Sequence, residues 1–346
     1  MQYKYCFEAV HRMLMDVRSN DALFGGVPTI FGGDFAQILP VVPRGSRADI
    51  VGACLQRSFL WPSLRVLSLR LNMRVHSGDR NRRFIEWVRS LAHDTAQAGS
   101  ITILPGINQY RTTDHFYDHI YPPALLARAH VDQDTFRDRA ILTVRNDTVA
   151  EINDYILDRL TALATDYYSV DAVEADLDSS QDLPPAELLQ TFNPPSLPPS
   201  KLRLKVGAPV ILLRNLYPKE GLYNGTRMVV TSIGRRCIKA RILGGSFNGQ
   251  LRLIPRIKLT SAEGELPYIV SRRQFPLRLC FAMTVNKSQG QSFNYVGVDL
   301  RIPPFTHGQL YVALSRVTDM ANLSLLLPSN EAVTTENIIY PEVLLD

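Results

Sequence analysis

The chain has 346 residues, 45% of them hydrophobic, which is enough to bury about two or three ordinary domain cores. Its four cysteines, Cys6, Cys54, Cys237 and Cys280, lie far apart. This spacing argues against a disulfide framework and a cysteine zinc site, and it favours a reducing compartment. No run approaches the roughly 18 apolar residues that a membrane span requires, and no basic-then-apolar leader opens the chain.

The net charge of +5 conceals a strong asymmetry along the chain. Residues 201–316 carry 19 basic and 4 acidic side chains, whereas residues 1–200 carry 19 basic and 24 acidic ones. A basic block of this size attracts a polyanion, and nucleic acid is the commonest one. The alternative is a solvated, strand-rich surface whose long arginine side chains cover apolar neighbours.

Hydrophobic periodicity predicts alternating helices and strands in the first 160 residues. Residues 5–18 place Phe7, Val10, Leu14 and Val17 on one helical stripe. In the same way we predict strands over VPTIFGGDF (27–35), around Val66 and over 141–144. Helices are predicted over ADIVGACLQ (48–56), RRFIEWVRSL (82–91) and 146–160. This alternation predicts an α/β fold, with parallel sheets and helices on their faces.

The pattern changes after about residue 163. Residues 164–200 are acidic and rich in proline, so we predict an extended excursion across a surface and not a core. Strand-like runs dominate from residue 201, and Asn224-Gly225 between two of them favours a hairpin turn. Residues 226–270 are therefore predicted to form a small β-barrel before the chain returns to the sheet at PLRLCFAMTV.

Polar side chains end several of the predicted strands. Asp34 and Gln37 lie in FGGDFAQILPVV, Arg74 ends LRLNMRV, and Arg316 ends LYVALSRV. Such side chains project from the C-terminal edge of a parallel sheet, where α/β proteins bind ligands. The run Asn286-Lys287-Ser288-Gln289-Gly290 adds a cation, a hydroxyl, an amide and a flexible backbone, which suit phosphate oxygens. Neither a Gly-Lys nor an Asp-Glu dipeptide occurs in the 346 residues.

These motifs together resemble one known family. GGDFAQILPVV, LNMR, LRLKVGAPVILLRNL with LYNGTR, FAMTVNKSQGQSF and HGQLYVALSRV are similar to the later motifs of the petite-integration-frequency (PIF) family of superfamily-one DNA helicases, and in wording to the Helitron-like members. The resemblance covers residues 1–328. It implies a RecA-like P-loop NTPase helicase architecture, with an incomplete first lobe, a second lobe and an inserted SH3-like β-barrel.

The resemblance also implies a domain order. Residues 1–75 would be the C-terminal part of the first RecA-like domain, and residues 76–225 the first segment of the second, including the excursion over 164–200. The barrel would occupy 226–270, the return segment of the second domain 271–330, and a tail 331–346. Family members carry a Gly-Lys-Thr phosphate loop and an Asp-Glu magnesium motif before these segments. We therefore expect this chain to correspond to a helicase without the N-terminal segment that carries those two motifs.

Individual residues receive roles from the same resemblance. Gln37 matches a sensor of the terminal phosphate or the attacking water, and Arg74 and Arg316 match positions that stabilise charge on the transferred phosphoryl group. These three are the expected catalytic residues. The residues expected at the nucleotide are Asp34, Gln289 and Gly290, and those expected on DNA are Thr284, Lys287, Ser288, Arg272 and Arg273.

Several of these assignments have structural alternatives. Gln37 could be a buried amide that ties two strands together, and Arg272 with Arg273 could be an exposed charge pair. Asn286 stands where many family members have histidine, which we interpret as a subfamily feature. The two histidines of DHFYDH, residues 114–119, lie four apart but have no evident third ligand, so a polar helix face is expected there and not a metal site.

The expected function is an ATP-dependent 5′–3′ DNA helicase that uses ATP and Mg²⁺, with the metal ligands mostly outside these residues. Expected partners are single-stranded DNA and duplex junctions, without a membrane, and the family suggests the nucleus and also the mitochondrion. Repair, recombination, telomere maintenance and Helitron transposition are the expected roles. The isolated chain is expected to be inactive. The alternative is a catalytically dead, transposon-derived fragment that binds single-stranded DNA.

Overall fold

The computed structural model describes residues 2–69, 79–132, 134–174, 185–194, 196–262, 264–266, 268–328 and 333–345. The chain divides into two compact units. The first unit comprises Met1–Arg111, Ser288–Asn294 and Val298–Asp346, and the second comprises Thr112–Lys287 and Tyr295–Gly297. The domain boundaries expected from the family resemblance stay a prediction.

The α-helices, in chain order, are α1 (Lys4–Arg18), α2 (Arg47–Gly52), α3 (Asp79–His93), α4 (Thr113–Ile120), α5 (Pro123–Arg128), α6 (Asn146–Arg159), α7 (Ala186–Thr191), α8 (Val285–Ser288) and α9 (Gln309–Leu314). Short 3-10 helices lie at Leu23–Gly26, Leu55–Arg57, Trp61–Ser63, Thr95–Gln97, Pro218–Glu220, Met320–Asn322 and Pro341–Val343. The helices predicted from periodicity are confirmed as α1, α3 and α6, and in part as α2. Every helix in the described part of the chain is too short or too polar to cross a bilayer.

The strands are β1 (Gly99–Thr102), β2 (Asn108–Tyr110), β3 (Arg139–Thr143), β4 (Ala164–Tyr168), β5 (Val170–Val173), β6 (Lys201–Lys205), β7 (Pro209–Leu212), β8 (Arg227–Ile233), β9 (Cys237–Ile242), β10 (Leu251–Pro255), β11 (Ile257–Thr260), β12 (Val270–Gln274), β13 (Leu277–Leu279), β14 (Ala282–Thr284), β15 (Tyr295–Asp299), β16 (Leu323–Leu326) and β17 (Thr334–Asn337). The predicted strand at 141–144 is confirmed as β3. Strand β15 lies partly in each unit.

The first unit is built around helix α9 and the apolar face of helix α3. Phe84 and Leu91 of α3 are buried, and α3 packs against α9, which is itself buried on most of its surface. Strand β2 pairs with β16 in parallel, and β1 pairs with β17 in antiparallel orientation. Helix α2 begins at a capping box in which Ser46 and Asp49 bond each other's backbone N–H groups, so its start is fixed by local chemistry.

The second unit combines a parallel pair with antiparallel sheets. Strand β14 pairs with β3 in parallel, and α6 packs on both strands. The Asn153 side chain of α6 donates to the carbonyls of Leu279 and Ala282 and accepts from the Ala282 N–H. This buried amide satisfies backbone groups at the turn into β14. Such pairing of parallel strands with a covering helix is what the alternating pattern predicts.

Antiparallel strands dominate the C-terminal half of the second unit. One sheet has the order β10-β9-β8-β7-β13 and another the order β11-β12-β5. The predicted hairpin at Asn224-Gly225 is confirmed, because β7 and β8 pair antiparallel and Gly225 has a φ of +92°. Only glycine adopts that angle without strain. The predicted strands within 226–270 form, while their closure into a barrel stays a prediction.

The prediction of a coreless excursion over 164–200 is wrong for its described residues. Strand β4 pairs with β6, and β5 pairs with β12. Leu189 and Leu197 form a buried cluster with Val270, against which Phe192 packs. Prolines stop helices and remove N–H donors, but they do not prevent the apolar residues between them from being buried. Residues 175–184 lie outside the described residues.

Two strands predicted in the first unit are also wrong. Residues 27–34 and 64–69 form no strand in the structure. Ile30 is 95% exposed, and Leu67 is also exposed. An extended segment becomes a strand when a neighbour takes up its N–H and C=O groups, and among the described residues no strand pairs with either segment. Both segments are apolar as the sequence indicates, but an apolar pattern does not show whether a neighbouring strand is present to bond the backbone.

Candidate nucleotide site and nucleic-acid surface

The loop at residues 34–37 is folded by its own aspartate. One carboxylate oxygen of Asp34 accepts from the Ala36 N–H at 3.0 Å, and the other accepts from the Gln37 side-chain amide at 3.0 Å. The Gln37 N–H also donates to the Asp34 carbonyl at 3.2 Å. Aspartate commonly closes a turn in this way. Asp34 therefore orients the Gln37 side chain directly.

The loop at residues 288–291 lies against this side chain. The Gln289 Nε2 donates to the Gln37 Oε1 at 3.0 Å, across 252 positions of sequence. Gly290 has a φ of +82° with open space where a side chain would stand, and the Gln291 N–H donates to the Ser288 carbonyl at 3.0 Å. Three residues predicted at one nucleotide, Asp34, Gln37 and Gln289, are thus joined by hydrogen bonds within the first unit.

Sequence reasoning missed two members of this cluster. The Tyr311 hydroxyl of α9 donates to the Asp34 carboxylate at 3.2 Å, and the His307 Nε2 lies 2.8 Å from the Phe35 carbonyl. Gly308 between them has a φ of +72° and lies so close to Ala36 that an added Cβ would be 2.4 Å from its carbonyl oxygen. All three residues belong to the motif HGQLYVALSRV. The motif therefore indicated this part of the site, although only its arginine, Arg316, is assigned a role from the sequence.

Arg316 lies buried beneath the 288–291 loop. Its Nη1 donates to the Gln291 carbonyl at 3.0 Å, its Nε to the Val312 carbonyl at 2.8 Å, and its Nη2 to the Ser315 hydroxyl at 2.7 Å. It is 2% exposed. Gln37 and Arg316 therefore meet the same loop from opposite ends of the chain. Arg74 lies outside the described residues, so its predicted convergence on this loop stays a prediction.

The side chains of this cluster carry several N–H donors, and each donates to a protein oxygen: Gln37 to Asp34, Gln289 to Gln37, and Arg316 to its own three acceptors. Gly290 is exposed with open space beside it, so a phosphate placed at this loop would have to exchange with one of these bonds. The fit to Mg²⁺ is poor, because both oxygens of Asp34 already accept hydrogen bonds. In the described part of the chain, no three His, Cys, Asp or Glu side chains form a group that could hold a metal ion.

The residues predicted on DNA around the 286–290 run differ in accessibility. Thr284 ends β14 and is buried, and Ser288 is completely buried. Lys287 reaches solvent. Surrounding protein lowers the pKa of Lys287 by desolvating its ammonium group, and the nearby Arg278 guanidinium lowers it further. An anion placed there would relieve both effects, so among these three residues Lys287 is the one that can meet a phosphate in this conformation.

The prediction that Arg272 contacts DNA is wrong. Its side chain is 0% exposed and forms an ion pair with Asp171 at 2.7 Å. The guanidinium also donates to Asn193 and to the carbonyls of Pro198 and Phe192. A buried arginine needs this full set of acceptors because its charge has left water. Arg272 therefore holds the 189–198 segment in place and has no surface to offer a phosphate.

Arg273 points to the opposite face, where it belongs to an exposed basic strip. Directly paired positions on neighbouring strands share a face, and Arg273 is paired with Lys258 on one side and Val170 on the other. Tyr168 lies two positions before Val170 in the chain and is 57% exposed. The Lys201 ammonium lies 5.7 Å from the centre of the Tyr168 ring. We call Lys201, Tyr168, Val170, Arg273 and Lys258 the basic strip.

The charges of the basic strip are only partly neutralised. Lys258 pairs with Glu174 at 2.7 Å and Lys201 with Asp166 at 2.9 Å. Arg273 forms neither a hydrogen bond nor an ion pair with any residue that the structure describes. Exposed cations beside an exposed aromatic ring are typical of surfaces that bind single-stranded nucleic acid through phosphates and stacked bases.

Comparison with known proteins supports a helicase relationship. One family model, PIF1-like helicase, matches residues 1–99, and another, DNA helicase Pif1, 2B domain, matches residues 187–233. The ATP-dependent DNA helicase PIF1 of Homo sapiens is 30% identical over 327 residues, covering 92% of this chain and 44% of that protein. The PIF1 of Rattus norvegicus is 29% identical over 327 residues, with the same coverage. The chain belongs to the PIF1-like helicase family.

Solved Pif1 structures share the fold of this PIF1-like chain. The Bacteroides Pif1 helicase in complex with ADP-AlF3 and single-stranded DNA has a TM-score of 0.64 and 22% identity, covering 99% of this chain and 70% of that chain. Pif1 from Candida albicans has a TM-score of 0.59 and 23% identity, covering 94% and 70%. At these identities the likeness shows the fold alone, which is mixed α/β.

The PIF1-like chain spans less than half the length of the first curated relatives, 44% in rat and human. Its match to the 2B domain model contains strands β6, β7 and β8 in full. The family models therefore match the N-terminal 99 residues and a central segment that contains these strands. Helitron-like character stays a prediction.

Proposed function

We propose that this chain is part of an ATP-dependent DNA helicase that moves 5′ to 3′ along single-stranded DNA, in a RecA-like architecture. The hydrogen bond between the Gln289 and Gln37 amides carries the proposal, because it joins two distant motifs in one cluster with Asp34. Relatives named as ATP-dependent DNA helicases, and a neighbour solved with ADP-AlF3 and single-stranded DNA, support it.

In this proposal the two amides report the state of the nucleotide. Gln37 can both donate and accept, so it can exchange its bond to Gln289 for one to a phosphate or to water. Gln289 lies one residue before Gly290 and two after Lys287, so a shift of the Gln37 amide is passed into the 286–290 run. That run then couples nucleotide state to DNA contact.

Asp34 and Arg316 set the charges of the proposed site. Asp34 fixes the direction of the Gln37 amide through its bond to Nε2. Arg316 is buried beneath the loop that carries Gln289, with its donors on protein oxygens, so in this conformation its permanently charged guanidinium stabilises negative charge on phosphate oxygens through its field and not through a direct contact. ATP, when bound, supplies the phosphoryl group whose transfer to water releases the energy for movement. We propose Arg74 as the second arginine of the site.

Single-stranded DNA is the proposed partner of the basic strip and of Lys287. Affinity for a polyanion should fall steeply with salt, because each phosphate contact releases counterions. We expect Arg273→Ala to lower the slope of log affinity against log salt by about 0.7, one phosphate contact on a single strand. Fluorescence anisotropy with labelled oligodeoxythymidine from 50 to 300 mM salt measures this.

The matched control for this prediction is Arg83→Ala, an exposed arginine of α3 in the first unit. It should leave both affinity and slope unchanged. Equal binding of the parent protein at low and high salt, or equal effects of the two substitutions, would contradict the proposed DNA surface.

A second candidate function is single-stranded DNA binding without hydrolysis. It is favoured by the lack of Gly-Lys and Asp-Glu dipeptides in the 346 residues, because a phosphate loop and carboxylates normally hold magnesium nucleotide. We expect a protein of only these residues to release no phosphate from ATP when DNA is added. DNA-stimulated release that Arg316→Ala abolishes would show that this chain alone is a motor.

The cellular role is proposed from the family alone. We propose nuclear placement, with the mitochondrion as a further site, and work in DNA repair, recombination, telomere maintenance or Helitron transposition. Imaging of the tagged full-length gene product tests the placement. Exclusion from both compartments would overturn it.

A further inference from the structure

His307 bridges the Gln37 loop to the C-terminal segment of the chain. Its Nδ1 accepts from the Tyr340 N–H at 2.9 Å, so this nitrogen carries no proton. Its Nε2 lies 2.8 Å from the Phe35 carbonyl and must therefore be the N–H donor. The imidazole is 1% exposed. The two bonds together require the neutral ring with its proton on Nε2.

The C-terminal side of this bridge is firmly held. The Tyr340 ring stacks on His307, with centroids 5.4 Å apart, and the Arg47 guanidinium lies 4.5 Å from the centre of the Tyr340 ring. Arg47 also pairs with Glu342 at 2.8 Å. Tyr340 and Val343 are buried with Leu39. Because packing fixes the C-terminal side, a change in the His307 hydrogen bonds should alter the position of the 34–37 loop.

We infer that His307 is a positioning residue, whose neutral imidazole ties residues 34–37 to the C-terminal segment 338–343 and releases them when it takes up a proton. The inference deepens the proposed function, since the sensor role of Gln37 rests on that function. A proton on Nδ1 would face the Tyr340 N–H, and two donors cannot bond each other. Loss of this bond loosens the ring that holds the Phe35 carbonyl, two residues from Gln37.

The groups that face His307 define the direction of its titration. Burial lowers the pKa of His307, and it is the strongest influence. The bond to the Phe35 carbonyl and the Asp34 carboxylate raise that pKa. The Arg47 guanidinium lowers it, while the Glu342 carboxylate raises it. Burial prevails, so the neutral form persists in the folded protein below the ordinary histidine pKa of about 6.5.

The sign of the pH dependence follows from this order. As pH falls below about 6.5, the unfolded chain binds the proton first. The stabilisation by neutral His307 is therefore complete above that pH and is lost as pH falls towards the lower pKa of the folded state. The loop of the folded protein should loosen only as pH falls through that lower pKa, where His307 itself takes up the proton, without any nucleotide present.

Trp61 offers a reporter for the loop. Its ring lies 5.7 Å from that of Phe35, edge to face, and Trp87 is the other tryptophan. In a Trp87→Phe background of the full chain, we expect one-proton titration of Trp61 emission between pH 8 and 5, with a midpoint below about 6.5. His307→Asn should abolish this step, and the exposed His115→Asn should retain it. The same step in His307→Asn would overturn the inference.

Hydrogen–deuterium exchange on the unsubstituted protein keeps the test independent of variant folding. After correction for intrinsic rates, residues 35–39 should exchange about 2- to 10-fold faster at pH 5.5 than at pH 7.5, the loss of one net hydrogen bond. Helix α6 should not change. Equal corrected rates in 35–39 would overturn the bridge. Neither readout uses nucleotide, so the bridge can stand even if Gln37 proves not to be a nucleotide sensor.

Discussion

Replacing Arg272 with alanine is expected to lower the free energy of unfolding by about 3 to 5 kcal/mol, the cost of leaving one partner of a buried ion pair uncompensated. Asp171 would keep a buried charge, because its side chain is 1% exposed. The carbonyls of Leu189, Phe192 and Pro198 would lose their donor as well. Each such acceptor is costly when buried without a partner.

Urea unfolding followed by circular dichroism measures this loss. The matched control is Arg273→Ala, one position along the same strand but exposed on the opposite face. It should change the free energy of unfolding by no more than about 0.5 kcal/mol, as surface substitutions do, while weakening DNA binding. Similar destabilisation by the two substitutions would contradict the assignment of the buried role to Arg272 alone.

Replacing Gly308 with alanine should have the second largest effect. The new Cβ would lie 2.4 Å from the Ala36 carbonyl oxygen and 2.7 Å from the Gln37 carbonyl carbon, at a φ of +72°. Left-handed backbone and overpacking each destabilise, and together we expect about 2 to 4 kcal/mol. The clash also pushes residues 36–37 away from α9, so the Gln37 to Gln289 bond should be lost.

Two other glycines separate these causes. Gly290→Ala keeps the left-handed angle, φ +82°, in open space, and should cost about 1 kcal/mol. Gly33→Ala has nothing within 4 Å of the new Cβ and should be nearly neutral. Thermal or urea unfolding ranks the three variants. If Gly308→Ala proved no worse than Gly290→Ala, the close packing of α9 on the 36–37 backbone would be contradicted.

Short-range sequence patterns predicted the elements that are determined by residues close together in the chain. Helices α1, α3 and α6 follow from one apolar stripe each, and the β7 to β8 hairpin follows from Asn224-Gly225. Segments 27–34 and 64–69 were predicted as strands from the same kind of pattern, but neither forms one. Their apolar character is real, but a strand exists only when a neighbour bonds its backbone, and periodicity says nothing about the neighbour.

Arg272 and Arg273 show the same limit for side chains. Adjacent residues of a strand point to opposite faces, so one of the pair had to point inward. The sequence does not tell which, because that depends on Asp171, about a hundred positions away. Leu189, Phe192 and Leu197 were missed for a related reason, since the prolines around them concealed a small core that only the folded partners complete.

The candidate site was predicted by motif resemblance more than by physics. Asp34, Gln37, Gln289 and Arg316 were identified because they stand in recognisable motifs, and the structure brings them to one loop. Tyr311 and His307 stand in the same motifs but act through Asp34 and Phe35. Their roles depend on contacts of α9 with the 34–37 loop, which no spacing within the sequence encodes.

The central claim is that Gln37 and Gln289 form one site, and a double-mutant cycle tests it most directly. Unfolding free energies of Gln37→Ala, Gln289→Ala and the double variant should show a coupling of about 0.5 to 1.5 kcal/mol, the worth of a hydrogen bond. Gln37→Ala with Gln109→Ala, an exposed residue of β2, should be additive. Additivity of the Gln37 and Gln289 substitutions as well would contradict the account.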